Sequence, residues 1–125
     1  MVAGVEQDSH STPAARRALF DDAVAIVQRE YTRDLRPGEV ARRVATSRRQ
    51  LQRVFAEIGQ TTFSDYLRRV RLDAAAKLLR RHDPRPLREI ARAVGYHSPS
   101  GFAVAFRRRY GVPPGALRAR RPPSN

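Results

Sequence analysis

No cysteine occurs anywhere in the chain, which excludes disulfides, thiolate metal sites and thiol catalysis. No run of residues is long or apolar enough to cross a membrane, and the stretch from Met1 to Pro13 lacks the apolar core of a signal peptide. No segment reads as a β-strand of any strength. There is no nucleophile with an adjacent base and no cluster of carboxylates, so catalysis finds no machinery. His10, His82 and His97 share no metal-ligand spacing, which argues against zinc. Lysine is almost missing too: Lys77 is the single one, and the other 24 cations are arginines. A GC-rich coding bias would account for that preference without removing the charge. These absences lead to the expectation of a soluble cytoplasmic protein that is not an enzyme and carries no metal or cofactor.

What is present is positive charge. With 25 Lys+Arg against 12 Asp+Glu the net charge is +13 and the isoelectric point about 11.6, so polyanions are the natural partners. A chain of 125 residues is one domain or two very small ones sharing a connector. Its 41% of hydrophobic residues is ample for a core.

The chain also repeats itself. Glu39-Val40-Ala41-Arg42-Arg43-Val44 returns fifty positions on as Glu89-Ile90-Ala91-Arg92-Ala93-Val94, and Leu51 and Phe55 return fifty-one positions on as Phe102 and Phe106. In each copy a short amphipathic segment is followed by a few turn residues, then by a second amphipathic segment with a Ser near its start and a Gly at its end. That pattern is two helix-turn-helix units in one polypeptide.

Capping and periodicity set the expected elements. Thr12 caps a first helix opened by Pro13, with Phe20, Val24, Val27 and Tyr31 as its apolar stripe. Pro37 opens a short second helix that buries Val40, Ala41 and Val44. After the turn Ala45-Thr46, Ser47 caps a third, whose Leu51, Val54, Phe55 and Ile58 face inward until Gly59 stops it. Thr62 and Asp65 form a capping-box-like pair ahead of the longest periodic stretch, to about Arg81. At 1.5 Å per residue this helix is about 28 Å long, a rigid spacer. Pro86 opens a fifth helix ended by Gly95, Ser98-Pro99 starts a sixth ended by Gly111, and Pro113-Pro114 opens a last helical turn. The expectation is an all-α fold of about seven helices. Its organisation is a disordered segment 1–11, a first subdomain 12–61, a connector helix 62–81, a second subdomain 82–120 and a basic tail 121–125.

These residues resemble the DNA-binding domain of AraC/XylS-type transcription regulators. The first unit carries the family's spaced Ala41, Ser47, Leu51, Arg53, Phe55, Gly59, Phe63, Tyr66-Leu67, Arg71, Ala75 and Leu78-Leu79. The second carries Ile90-Ala91, Val94-Gly95-Tyr96, Ser100, Phe102, Phe106, Gly111, Pro114 and Arg118. The match runs from about Ala18 to Arg118. The chain departs from the family pattern at Val104, where an arginine is frequent, at Gly101, where an aromatic or polar residue is frequent, and at Leu117, where an aromatic is usual. The resemblance implies a regulator of transcription that acts on nucleoid DNA, as an activator through contact with RNA polymerase or as a repressor where its site overlaps a promoter. It also implies that most relatives carry a separate sensing or dimerisation domain. Only a short polar segment precedes the first helix here, so the chain is either a stand-alone regulator or an excised DNA-binding piece.

In a helix-turn-helix unit the second helix enters the major groove with its N-terminal residues nearest the base edges. With Leu51, Val54, Phe55 and Ile58 inward, Arg48, Arg49, Gln52 and Arg53 project outward. Arg pairs bidentately with guanine and Gln with adenine, each worth about 1–3 kcal/mol of discrimination. Arg49, Gln52 and Arg53 are the expected base readers and Arg48 a phosphate contact. On an amphipathic helix viewed alone these would be solvated surface residues; the repeat and the resemblance favour DNA. The sixth helix offers Pro99, Ser100, Gly101, Ala103 and Val104 at the equivalent positions, none with a bidentate fork. Ser100 supplies one hydrogen bond, Ala103 and Val104 a touch on a thymine methyl, and Arg107 and Arg108, one turn later, suit phosphates. Tyr66, Tyr96, Phe102, Phe106 and Tyr110 read as core rather than as stacking platforms for single strands. The leading reading is a monomer that inserts two recognition helices into successive major grooves of double-stranded DNA, roughly 34 Å apart. The alternative is an architectural binder of low sequence preference.

Overall fold

The computed structural model describes residues 12–120. The expectations placed on residues 1–11, on His10 and on the tail 121–125 lie outside the described residues. Among those described there are seven helices and no strand: α1 (Pro13–Glu30), α2 (Pro37–Arg43), α3 (Arg48–Glu57), α4 (Phe63–Arg80), α5 (Leu87–Ala93), α6 (Pro99–Tyr110) and α7 (Pro114–Ala119). The fold is all-α, as the sequence pattern leads one to expect. The described residues form two compact units. One holds the residues up to Glu30 together with Leu35–Tyr66; the other holds Tyr31–Asp34 and the chain from Leu67 onward.

The longer helices start where the sequence supplies an oxygen for an orphan N–H. Thr12 Oγ1 accepts from the Ala15 N–H at 3.1 Å, Ser47 Oγ from Gln50 at 3.0 Å, Thr62 Oγ1 from Asp65 at 3.0 Å and Ser98 Oγ from Gly101 at 3.1 Å. The short helices start on proline instead. Pro37 and Pro114 stand at the first helical position of α2 and α7, while α5 begins at Leu87 with Pro86 in the cap position, one residue later than expected.

In the first unit α1 buries Leu19, Ala23, Ile26 and Val27. This shifts the inward face from the expected stripe, leaving Phe20, Val24 and Tyr31 half-buried. Two apolar stripes run side by side on this helix, Leu19-Ala23-Ile26 and Phe20-Val24-Val27, and spacing alone does not decide which of them is buried deeper. Phe55 of α3 is the centre of the unit. Its ring meets Phe20 edge-on at 5.0 Å, Phe63 at 5.5 Å and Tyr66 at 5.8 Å, separations that add attraction beyond apolar burial. Gly59 does not act as the left-handed stop: Gln60 takes the positive φ of 53°. A Cβ on Gly59 would lie 3.0 Å from both the Phe20 ring and the Phe55 carbonyl oxygen, so this glycine admits Phe20 to the core.

The second unit buries Leu72, Ala75, Ala76 and Leu79 of α4 against Ile90, Phe102 and Phe106. Leu117 of α7 joins them. The turns of the two units are copies. Val44, Ala45 and Thr46 donate to the carbonyls of Val40, Arg42 and Ala41, and Val94, Gly95 and Tyr96 donate to those of Ile90, Arg92 and Ala91. This is the pairing of a Schellman ending, which requires a left-handed residue. Ala45 provides it at φ 59° and Gly95 at φ 104°. At Gly95 the approach is close as well, since a Cβ would fall 2.6 Å from Arg71 Nε and 2.7 Å from the Tyr31 carbonyl oxygen. Arg71 is held there by donating Nε to the Tyr31 carbonyl at 2.7 Å and Nη2 to that of Arg33 at 2.8 Å.

Candidate nucleic-acid interface

The rotation of α3 is fixed from beneath. Leu51, Val54 and Phe55 are buried, and Ser47 locks the first turn. The consequence is that Arg48, Arg49, Gln52 and Arg53 are all exposed. Arg49, Gln52 and Arg53 stand at i, i+3 and i+4, neighbours on one helical face. Arg48 and Arg49 lie in the first turn, where the helix dipole presents partial positive charge and where the helix has no acidic residue to offset it. Cations at that end cost about 0.3–1 kcal/mol each rather than stabilising. None of the four side chains hydrogen-bonds or ion-pairs with another described residue. An anion brought to this helix end would meet two arginines and the free N–H groups together.

In the second unit α6 is pinned at both ends. Ser98 caps its start and Gly111, at φ 78°, its finish. Its last turn is tied to α4, where Asp73 receives Arg109 Nε at 2.7 Å and Nη2 at 3.0 Å, together with the Tyr110 hydroxyl. Burial works to raise the Asp73 carboxyl, but the hydrogen bonds from Arg109 and Tyr110 together hold it below its ordinary value. Phe102 and Phe106 face the core. Ser100, Gly101, Ala103, Val104, Arg107 and Arg108 are therefore exposed. Within the run Arg107-Arg108-Arg109 only Arg109 is committed to an internal carboxylate; Arg107 and Arg108 have no side-chain partner among the described residues. The Ser100 hydroxyl lies 3.2 Å from that of Ser98, so it is already shared with the cap. Ser100 and Ala103 also border an open cleft of about 510 Å³, with Leu87, Arg88 and Pro113 on its other walls.

The aromatic residues behave as expected of a core. Tyr66, Phe102 and Phe106 are buried and Tyr96 and Tyr110 half-buried. What sequence reasoning missed are the polar ties that hold the second unit's helices in place. Besides Asp73 with Arg109 and Tyr110, the Arg85 N–H donates to Asp83 Oδ1 at 3.0 Å, and the Arg85 guanidinium pairs with the same carboxylate. These bonds hold the Asp83 carboxyl down to about 2. The Asp-x-Arg spacing at a proline-rich turn was a legible signal for that pair. Nothing in the sequence marks the thirty-six positions between Asp73 and Arg109 as a contact.

The helix-turn-helix domain family model matches residues 40–120 of the chain. The regulatory protein SoxS of Escherichia coli K12 is 32% identical over 106 residues, which cover 85% of this chain and 98% of SoxS. Other curated relatives are longer, and the chain spans 31% of the length of one and 38% of another. Among solved structures, a transcriptional regulator of the AraC-type DNA-binding class from Chromobacterium violaceum superposes with a TM-score of 0.79 at 28% identity, covering 85% of this chain and 94% of that one. The DNA-binding domain of AdpA, solved in complex with a target DNA, gives a TM-score of 0.75 at 27% identity over 80% of this chain and 89% of its own.

Proposed function

Since the chain belongs to the AraC-type helix-turn-helix transcription regulators, we propose that it binds double-stranded DNA sequence-specifically, α3 and α6 each entering a major groove. Arg49, Gln52 and Arg53 read base edges in one half of the site. Arg48, Arg107 and Arg108 hold phosphates, which set register without reading sequence. Ser100, Gly101, Ala103 and Val104 face the other half. The observation that carries this reading is the outward face of α3, where three side chains able to pair with bases are exposed, unpaired and fixed by the buried Leu51, Val54 and Phe55. That AdpA was solved on a target DNA supports it.

Because one polypeptide carries both recognition helices, a monomer suffices and the site need not be symmetric. Selection of bound sequences from a random duplex library, followed by sedimentation of the complex, tests both statements. The expected result is an asymmetric motif of roughly 17 to 21 base pairs bound by one chain. A palindromic motif occupied only by a dimer would overturn the arrangement, and a library that emerges without enrichment would leave an architectural binder. The regulator acts in the cytoplasm on nucleoid DNA, as an activator that contacts RNA polymerase. Transcription in vitro from a promoter carrying the selected motif would decide that sign; lower output with the protein present means repression.

A further inference from the structure

Two features of α6 serve no purpose in the fold. Val104 is 58% exposed and is the one large hydrophobic residue so exposed among the described residues. Gly101 stands in the first turn of the same helix, a place where glycine weakens a helix relative to alanine. Its backbone is not left-handed, and a Cβ there would meet nothing nearer than Ser98 Oγ at 3.4 Å, an ordinary contact. Packing and backbone geometry therefore leave the missing side chain unexplained. Gly101 and Val104 are three residues apart and so adjacent on one face, with Arg108 a further turn along the same stripe. The face is thus a recess, an apolar knob and an unpaired cation in line. A polyanion that also offers a small apolar projection complements it. In the major groove the only apolar group on a base edge is the methyl on C5 of thymine.

We propose that Val104, approaching over the space that Gly101 leaves clear, recognises a pyrimidine C5-methyl group, so that a methyl rather than a hydrogen-bonding pattern specifies the second half of the DNA site. This deepens the regulator reading above and rests on it. Neither Gly101 nor Val104 has a polar side-chain atom with which to tell thymine O4 from cytosine N4. Thymine and 5-methylcytosine are therefore equivalent at this position, while uracil and unmodified cytosine are poor. Cytosine methylation at a site carrying cytosine there would raise its affinity for the protein.

The test uses the full chain and the selected duplex, with deoxyuridine replacing thymidine one position at a time. At one or two thymines in the second half-site the swap should weaken binding about fourfold, the effect of losing one buried methyl-sized group. Restoring the methyl as a 5-methylcytosine–guanine pair should recover most of that loss. With Val104→Ala the deoxyuridine penalty should fall below about twofold; as an exposed site its melting temperature should stay at the wild-type value, which is measured alongside. The proposal is overturned if no deoxyuridine in that half weakens the wild type, or if Val104→Ala keeps the full penalty, while the chain still prefers its site over random DNA. A chain that prefers no sequence at all overturns the regulator reading first, and this proposal with it.

Discussion

Ala45 and Gly95 hold the same place in the two turns, make the same hydrogen bonds and adopt the same left-handed backbone, yet one is alanine. Surroundings explain the difference. Ala45 is exposed, whereas Gly95 is pressed between Arg71 and the Tyr31 carbonyl. Gly95→Ala should therefore cost about 2 kcal/mol or more, from strain at positive φ and the clash together. Ala45→Gly should stabilise by about 0.5 kcal/mol, because relief of left-handed strain exceeds the entropy gained by the unfolded chain. Urea unfolding of both variants checks the pair; equal and opposite shifts would mean that the crowding at Gly95 counts for nothing. The exposure of Arg49, Gln52 and Arg53 was legible in the sequence because Leu51, Val54 and Phe55 have one possible inward side. The role of Arg71 was not, since a guanidinium that serves two carbonyls forty and thirty-eight residues away leaves no local pattern. Arg49→Ala should relax sequence preference by about 1–3 kcal/mol at one base pair, while Arg107→Ala should weaken all duplexes alike and lower the salt slope by about one unit. Binding titrations on matched and scrambled sites separate the two outcomes.

At the scale of elements, α3 and α6 differ in chemistry while sharing a support. Phe55 and Phe106 each lie fully buried beneath the exposed face of their helix. Phe106→Ala should cost about 3–5 kcal/mol, against at most about 0.5 kcal/mol for Val104→Ala two residues away. A Phe106→Ala protein that unfolds at the wild-type urea midpoint would show that α6 is rotated from its described face. The starts of the four longer helices were legible, because Thr12, Ser47, Thr62 and Ser98 announce them. The inward face of α1 was not, since Leu19-Ala23-Ile26 and Phe20-Val24-Val27 are equally periodic and tertiary packing decides between them. The polar ties of the second unit give a pH signature. Asp73 and Asp83 both titrate below their ordinary range in the folded chain. Each therefore adds stability above the unfolded value of about 3.9, and that contribution is lost as pH falls through the group's depressed folded value, which for Asp83 lies at about 2. Asp73→Asn combined with Asp83→Asn should flatten the melting temperature against pH over that window; an unchanged slope would assign acid sensitivity to other carboxylates.

The whole molecule carries a net charge of +13, and exposed arginines on α3 and α6 contribute part of it. Affinity should fall with salt at a logarithmic slope of about −0.9 per phosphate neutralised, for about 5–9 contacts. A nearly flat dependence would contradict the two-groove pose. Helical periodicity made the all-α class legible, and the return of Glu39–Val44 as Glu89–Val94 the doubling. They could not show that one unit draws on a segment from within the other's stretch of sequence: Tyr31–Asp34 groups with the second unit, although the chain on both sides of it belongs to the first. No single cut separates the two. A truncated gene encoding only the C-terminal half would leave Arg71 without both of its carbonyl acceptors, its half-buried charge unsatisfied. The second unit thus depends on a segment encoded ahead of the first unit's helix pair, so only a stretch of gene that includes Tyr31–Asp34 can supply it with every hydrogen bond it uses.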